Sequence, residues 1–334
     1  MRRRSFVALA GLLALALAPA PAEPVAVAQA GKDEAAIALP LSFGQVWFRP
    51  GPKSGLAGGK QTGLLTVSEN GIEFSAKKQS HILPWSRIEM ISYGRMSGDP
   101  DTMWVVLSLT PVAGEWSRIG VRDGSKMGYG GGTSAIFDAI VAGSRQVGAG
   151  PFAAPQGFSA HFNSTLDFSL AVPNDWHPYS VSETYVDGRS LWGRTIFSPL
   201  DLTSIRADDA RLKQALTSIR NGMDRAVFFD RFEADGGFTC RKLGKSGRRE
   251  LSNRIDAGLK PLKLVSEPQW TEHAHRYCMA WTFAGRATTK DGTTIDVRFY
   301  AVSDGQTAYL LGARGSGNDH FEQVARSLKT AVGR

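Results

Sequence analysis

Residues 64–74 read LLTVSENGIEF, and this stretch decides how the N-terminal half folds. Two short runs of apolar and β-branched residues flank Glu69-Asn70-Gly71, a turn sequence typical of a β-hairpin. Similar runs follow at 88–91 and 104–107, and apolar residues then recur at helical spacing after Thr133 or Ser134. We therefore expect residues 44–147 to form a small β-barrel or a curled sheet, closed by one C-terminal capping helix.

Several motifs run through this region in a fixed order. They are Gly71-Ile72-Glu73-Phe74, Ile82-Leu83-Pro84-Trp85 with Ile88, Ile91-Ser92-Tyr93-Gly94, and the helix opened by Gly128-Tyr129-Gly130-Gly131-Gly132-Thr133. In these motifs, residues 44–146 resemble bacterial pleckstrin-homology-like (PH-like) domains, which implies a PH-like fold. Eukaryotic relatives hold phosphoinositide headgroups with basic residues in an early strand loop. That site is not transferred, because Lys53 and Lys60 precede the first predicted strand and Lys77-Lys78 lie in a later turn.

Residues 158–334 alternate between strand and helix patterns. Strands are predicted over 166–172, 277–283, 295–302 and 307–313, and helices from Asp209 and over 321–328. We expect an α/β sandwich with an antiparallel sheet, so the whole chain belongs to the α+β class.

Two short motifs in this second half stand out. Phe162-Asn163 lies near its start, and the first strand ends in Val172-Pro173-Asn174-Asp175-Trp176. With the closing hairpin and helix, these motifs resemble the PsbP-like family. Members of that family are extrinsic subunits or accessory proteins, so the resemblance implies binding more than chemistry, and it transfers no site residue.

The first 30 residues have the organisation of a secretory signal peptide. Three arginines precede an apolar run over 6–18, which is shorter than the roughly 20 residues that cross a bilayer. Arg3-Arg4-Ser5-Phe6 loosely resembles a twin-arginine signal, so two export routes remain open. We expect a removed signal peptide (1–30), a linker (31–43), a second linker rich in Gly, Pro and Ala (148–157), and a periplasmic or extracellular location.

Composition excludes a disordered chain and a disulfide-stapled miniprotein, because 42% of the 334 residues are hydrophobic. The net charge of +8 predicts a mildly basic surface, and export disfavours nucleic acid as a partner. One stretch, 241–254, is strongly basic and is a candidate contact for an anionic membrane surface or an acidic partner; its alternative is a solvated loop. Its cations, opposed only by Glu250, are Arg241, Lys242, Lys245, Arg248, Arg249 and Arg254.

Cys240 and Cys278 are the only cysteines. In an exported chain they are a disulfide candidate, whereas a buried free thiol at Cys278 is the alternative. His273 and His275 lie two residues apart, so a strand places both imidazoles on one face, as a metal site requires. The same face continues into the core through Tyr277, Met279, Trp281 and Phe283, which leaves the histidines near a sheet edge. His161 and Glu272 are the candidates for a further ligand.

Motifs of catalysis are missing from the sequence. There is no GxSxG or HExxH motif, and Asp99 and Asp101 flank Pro100 in what we interpret as a surface turn. We therefore expect a noncatalytic exported binding or accessory protein of the bacterial envelope, without a cofactor, whose partner is another protein or an envelope component. The alternatives are a module that binds anionic lipid or polymer, and an unrecognised hydrolase with a cleft between its domains.

Overall fold

The computed structural model describes residues 36–331 apart from 52–60, 78, 97–98, 111, 113–115, 125–131, 165, 185–190, 207, 235, 260–261 and 277. The predicted signal peptide (1–30), the start of the first linker (31–35) and the glycine-rich approach to the first helix lie outside the described residues. None of the described helices is long and apolar enough to cross a membrane.

Seven antiparallel strands form a sheet in the N-terminal half, in the order β4-β3-β2-β1-β7-β6-β5. Their bounds are β1 (Leu41–Gly51), β2 (Gln61–Ser68), β3 (Gly71–Ala76), β4 (Gln79–Pro84), β5 (Ile88–Met96), β6 (Asp99–Leu109) and β7 (Arg118–Asp123). The strands expected at 64–67, 72–74, 88–91 and 104–107 are all confirmed.

The Glu69-Asn70-Gly71 turn joins β2 to β3 and sets their register. Leu65 pairs with Phe74, and Val67 pairs with Ile72, so all four side chains face the core. Gly71 has a φ of 140°, and a Cβ there would lie 2.2 Å from the carbonyl oxygen of Leu83. Only glycine meets both demands, which explains why this short sequence specifies the hairpin.

The sheet is curled, and no closed barrel is found among the described residues. Its two ends are β4 and β5, which are joined by a 3-10 turn, Trp85–Arg87, and no ladder joins them in the part of the chain that the structure describes. Trp85 is buried in this turn and donates from Nε1 to the carbonyl oxygen of Ser68 at 3.0 Å. The turn thus anchors the chain to the core while it redirects the backbone away from β4.

One helix, α1 (Gly132–Gln146), packs on the core of this curled sheet. Its buried face includes Ile136, Ile140 and Val141 at the spacing expected from the sequence. Gly143 lets the helix approach closely, since a Cβ there would lie 3.0 Å from Val67 and 3.2 Å from Trp85. The predicted capping helix is confirmed.

The C-terminal half contains a large antiparallel sheet, β10-β11-β12-β19-β18-β17-β15, with β16 paired to β17. A small sheet, β20-β9-β8, and a two-stranded one, β13-β14, accompany it. The bounds are β8 (Phe158–Asn163), β9 (Phe168–Pro173), β10 (His177–Thr184), β11 (Leu191–Ser198), α2 (Asp209–Arg220), β12 (Val227–Glu233), β13 (Phe238–Thr239), β14 (Lys242–Leu243), α3 (Lys245–Leu259), β15 (Lys263–Leu264), β16 (Thr271–His275), β17 (Cys278–Thr288), β18 (Thr294–Ser303), β19 (Thr307–Arg314), α4 (Phe321–Ser327) and β20 (Lys329–Thr330).

Both faces of the large sheet are covered. On one face, Phe168 of β9 and Val324 of α4 pack against Tyr309 of β19. On the other face, Leu251 and Ile255 of α3 pack against strand residues that include Trp281 and Val297. Antiparallel sheets with four helices among the described residues make this an α+β protein, as expected.

The halves meet at several side chains. Arg276 forms an ion pair with Glu89 of β5, and Lys329 donates from Nζ to the carbonyl oxygens of Gly150 at 2.6 Å and Ala153 at 3.2 Å. Within the predicted linker 148–157, Gly150 and Pro151 are buried in a 3-10 turn, whereas residues 153–157 are exposed. The first part of this linker is therefore held in place by the fold.

Candidate functional site

A polar groove of about 750 Å³ lies on one face of the large sheet beside α4. Strands β16, β17 and β18 supply its floor and one wall, and α4 supplies the other wall. We call it the arginine groove and define it by the polar residues that line it: His273, His275, Arg276, Thr282, Arg298, Tyr300, Glu322 and Arg326.

The two histidines reach this groove through a tight hairpin. His275 pairs with Cys278, so the chain reverses direction between these two residues; Tyr277 lies outside the described residues. Arg276 has a φ of 46°, a left-handed conformation suited to such a turn. The expectation that the face of His273 and His275 continues along the same strand to Phe283 is therefore wrong. The alternating pattern of the sequence gives no sign of the turn, which contains no glycine.

His275 and Tyr300 form a buried pair in the groove. The Tyr300 hydroxyl and His275 Nδ1 are 2.5 Å apart, and both residues are less than a tenth exposed. Burial, together with the neighbouring Arg276 charge, lowers the pKa of His275 to about 4. Burial also raises the pKa of Tyr300 above its ordinary value. At neutral pH the pair is thus an uncharged hydrogen-bonded unit, in which the protonated phenol is a weak nucleophile.

Three arginines give the groove its positive charge, which Glu322 partly offsets. Arg276 is committed to the fold, since it donates to Glu89 and, from Nε, to the carbonyl oxygen of Leu328 at 3.2 Å. Arg326 pairs with Glu322 at 3.2 Å, but both side chains are well exposed. An exposed pair four residues apart on a helix is worth well under about 1 kcal/mol, so Arg326 can turn to a ligand at little cost. Arg298 is exposed on β18.

The arrangement of the histidines bears on the predicted metal site. His273 is exposed, and its Nε2 lies 2.8 Å from Thr282 Oγ1, while His275 Nδ1 is engaged by Tyr300. His161, one proposed further ligand, packs instead against Phe168 and Phe197. Within the described ranges, no group of three His, Cys, Asp or Glu side chains is placed to hold a metal ion. No third ligand from the described residues is thus brought to this pair.

The basic stretch 241–254 is a hairpin turn followed by a helix, rather than the loop considered from the sequence. Leu251 and Ile255 are buried four residues apart, which is the helical signal that the dense charges obscure. Gly247 permits close contact near the helix start, since a Cβ there would lie 2.6 Å from the carbonyl oxygen of Gly237.

The six cations of this stretch have different environments. Arg254 is half-buried: it forms an ion pair with Glu250 at 2.7 Å, and its guanidinium lies 3.9 Å from the Phe232 ring centre. The other five are exposed: Arg241, Lys242, Lys245, Arg248 and Arg249. Three of them, at positions 245, 248 and 249, share one face of α3 by helical spacing. We call these five residues the basic surface.

Cys240 and Cys278 are joined by a disulfide bond. The bond ties the turn between β13 and β14 to the first residue of β17, and the backbone N–H of Met279 donates to the carbonyl oxygen of Cys240 at 2.7 Å. It therefore attaches the basic surface to the same strand that lines the arginine groove.

Sequence reasoning missed most of the arginine groove. Arg298 and Tyr300 are two residues apart on a strand, which indicates a shared face, and Glu322 and Arg326 are four apart on a helix. These spacings were available from the sequence. These spacings do not indicate that α4 packs beside β18, because that contact depends on the tertiary fold.

The chain matches no protein-family model and no curated protein. Among solved structures, it is similar to the solution structure of cyanobacterial PsbP (CyanoP) from Synechocystis sp. PCC 6803, with 9% identity and a TM-score of 0.34 over 54% of this chain and 95% of that chain. It is also similar to a chain in the structure of the Spt16D Pob3N heterodimer, with 11% identity and a TM-score of 0.22 over 52% of this chain and 91% of that chain. At these TM-scores neither likeness informs on function.

Proposed function

We propose that this chain is an exported, noncatalytic binding protein of the bacterial envelope, and that the arginine groove holds an anionic ligand. The PH-like and PsbP-like assignments belong to the same proposal. They are supported by the residue patterns of the two halves and, in the N-terminal half, by seven successive antiparallel strands followed by one helix.

The observation that carries the proposal is the convergence of Arg298 and Arg326 on one groove above an uncharged His275–Tyr300 pair. Guanidinium groups bind carboxylate and phosphate oxygens through paired hydrogen bonds. Burial keeps the pair below them neutral and raises the pKa of Tyr300, so the groove offers fixed dipoles and cations rather than an activated nucleophile. These properties suit retention of an anion better than its chemical conversion.

Calorimetric titration of the full chain with inorganic phosphate, pyrophosphate and citrate tests this proposal. We expect at least one of these anions to bind, and Arg298→Gln to weaken that binding about tenfold, as loss of one charge-assisted hydrogen bond predicts. The matched control is Arg249→Gln, which removes the same charge from an exposed position on α3. Equal losses in both variants, or no binding of any of the three anions, would contradict the proposal.

A second candidate function rests on the basic surface, whose five exposed cations lie within a short stretch on and beside α3. Such a surface suits an anionic membrane, where each near-surface cation contributes about 1 kcal/mol. This contact uses lipid headgroups and a flat surface, whereas the arginine groove would take a small anion.

Vesicle co-sedimentation separates this second function from the first. Binding should require acidic lipid and weaken with salt, because exposed charges are screened within about 10 Å at 0.1 M. Replacing Arg241, Lys242, Arg248 and Arg249 by Glu should abolish vesicle binding with little change in thermal stability, since exposed charges contribute little to folding. Binding that persists in this variant rules out the basic surface as the contact. Arg298→Gln serves as the control that alters the groove alone.

A further inference from the structure

A cavity of about 460 Å³ opens into the core of the N-terminal sheet. It is lined by β4 at one end of the strand order and by β6 and β7 near the other, so it lies where the curled sheet fails to close. Its volume falls in the range of small-molecule sites, which is about 300–1,000 Å³. The cavity is thus a consequence of the open sheet.

One wall of the cavity is built from stacked rings. His81 stacks on Phe48 with ring centres 5.3 Å apart and planes 8° from parallel, and Phe48 in turn stacks on Phe74 at 4.4 Å. Trp116 meets His81 edge-on at 5.1 Å. Aromatic groups in such contacts hold one another in place, so this wall is formed before any ligand arrives.

The opposite wall is aliphatic and includes Leu107 and Ile119, both of which are buried. Three polar side chains interrupt the apolar lining: Arg87, His81 and Ser80. The Ser80 hydroxyl donates to Glu73 Oε1 at 2.9 Å, so Arg87 and His81 are the groups considered for a ligand. His81 Nε2 is buried and has no hydrogen-bond partner among the described residues. A buried imidazole nitrogen left in this way costs about 1–3 kcal/mol, which a ligand oxygen would recover.

We propose that this cavity binds an amphipathic carboxylate, with the apolar body between the aromatic and aliphatic walls and the head group at Arg87 and His81. The apolar lining provides affinity through burial of the ligand's hydrocarbon surface. The cation and the imidazole fix its orientation and distinguish an acid from an alcohol of equal length. The arginine groove takes no part in this binding, so the two proposals fail or succeed separately.

Dodecanoate is the probe, and displacement of anilinonaphthalene sulfonate fluorescence from the full chain is the measurement. We expect dodecanoate to displace the dye and dodecanol to bind about tenfold more weakly, as loss of one charged hydrogen bond predicts. Arg87→Gln should reduce the affinity for dodecanoate to that for dodecanol. Arg211→Gln, which removes the same charge from an exposed position on α2, is the control and should leave the affinity for dodecanoate unchanged.

A second variant tests the cavity itself. Leu83 is half-buried on the edge strand β4 and lines the cavity, so Leu83→Trp should fill the space and remove dodecanoate binding. Circular dichroism and the thermal midpoint show whether the variant is folded. If Leu83→Trp does not fold, the comparison with dodecanol and the Arg87→Gln variant still test whether the cavity binds the carboxylate. Dodecanoate binding that survives a folded Leu83→Trp variant or Arg87→Gln, or no binding by the unmodified chain, would overturn the proposal.

Discussion

At the scale of single residues, His161 is an ionisable group that packs among aromatic rings in the C-terminal half. It lies on β8 with its ring centre 5.8 Å from that of Phe168 and 5.1 Å from that of Phe197. Its Nε2 is buried without a hydrogen-bond partner among the described residues, and burial lowers its pKa to about 4. The imidazole therefore functions as an aromatic core residue at neutral pH.

This burial predicts a pH dependence of stability. Between pH 6.5 and 4, the unfolded chain binds a proton at His161 that the folded chain does not, so the unfolding free energy falls as the pH falls through this window. At about 1.4 kcal/mol per pKa unit, one such histidine accounts for about 3 kcal/mol. In the His161→Phe variant, we expect the unfolding free energy to fall by about that much less between pH 6.5 and 4. Urea unfolding at several pH values measures this difference.

The matched control for this experiment is His177→Gln, which replaces an exposed histidine on β10. Its stability should follow the pH dependence of the unmodified chain. In both variants, His275 still lowers the unfolding free energy as the pH falls, because its pKa is also lowered to about 4. An identical pH dependence for His161→Phe and the unmodified chain would show that His161 is accessible to solvent.

At the scale of elements, the disulfide determines how firmly β13, β14 and α3 are held. The bond closes a separation of 38 residues, for which the chain-entropy estimate is about 4 kcal/mol. We expect reduction to lower the unfolding free energy by about that amount in guanidinium titrations with and without reductant. A Cys240→Ser, Cys278→Ser double variant should match the reduced chain and be insensitive to reductant. Equal midpoints for the oxidised and reduced chain would contradict this.

The hairpins show what the sequence predicts and where it fails. The β2–β3 turn was predictable because Gly71 adopts a φ that excludes other residues, so its chemistry is visible in the sequence. The β16–β17 turn uses Arg276 at a positive φ, and nothing in its residue types reveals it. Likewise, the arginine groove combines residues from three strands and a helix, and its assembly depends on packing that no local pattern encodes.

At the scale of the whole molecule, contacts between the halves accompany the covalent connection. Besides the Glu89–Arg276 ion pair, Phe152 of the connecting turn packs against Phe162 of β8 with ring centres 5.1 Å apart. Ser169 also donates from Oγ to the carbonyl oxygen of Pro151. These contacts join the end of the N-terminal half directly to the small sheet.

Limited proteolysis tests both the predicted domain boundary and these contacts. We expect elastase to cut first within the exposed residues 153–157, where Ala153 and Ala154 offer its preferred small side chains. The two fragments should remain folded and co-elute in gel filtration, because the Glu89–Arg276 and Phe152–Phe162 contacts between the halves do not depend on the cut bond. A first cut within 60–140 or 270–330 would show that the domain boundary is misplaced.

The pairing of β9 with β20 has a consequence for the order in which the molecule assembles. Lys329 pairs with Ser169, whereas the seven-stranded sheet and α1 are complete by residue 146. A chain that emerges from its N-terminus onward can therefore finish the first half early, while β9 has only β8 as its neighbour until residues 329–330 arrive. We expect assembly in two stages separated in time, with the small sheet as the last part to form.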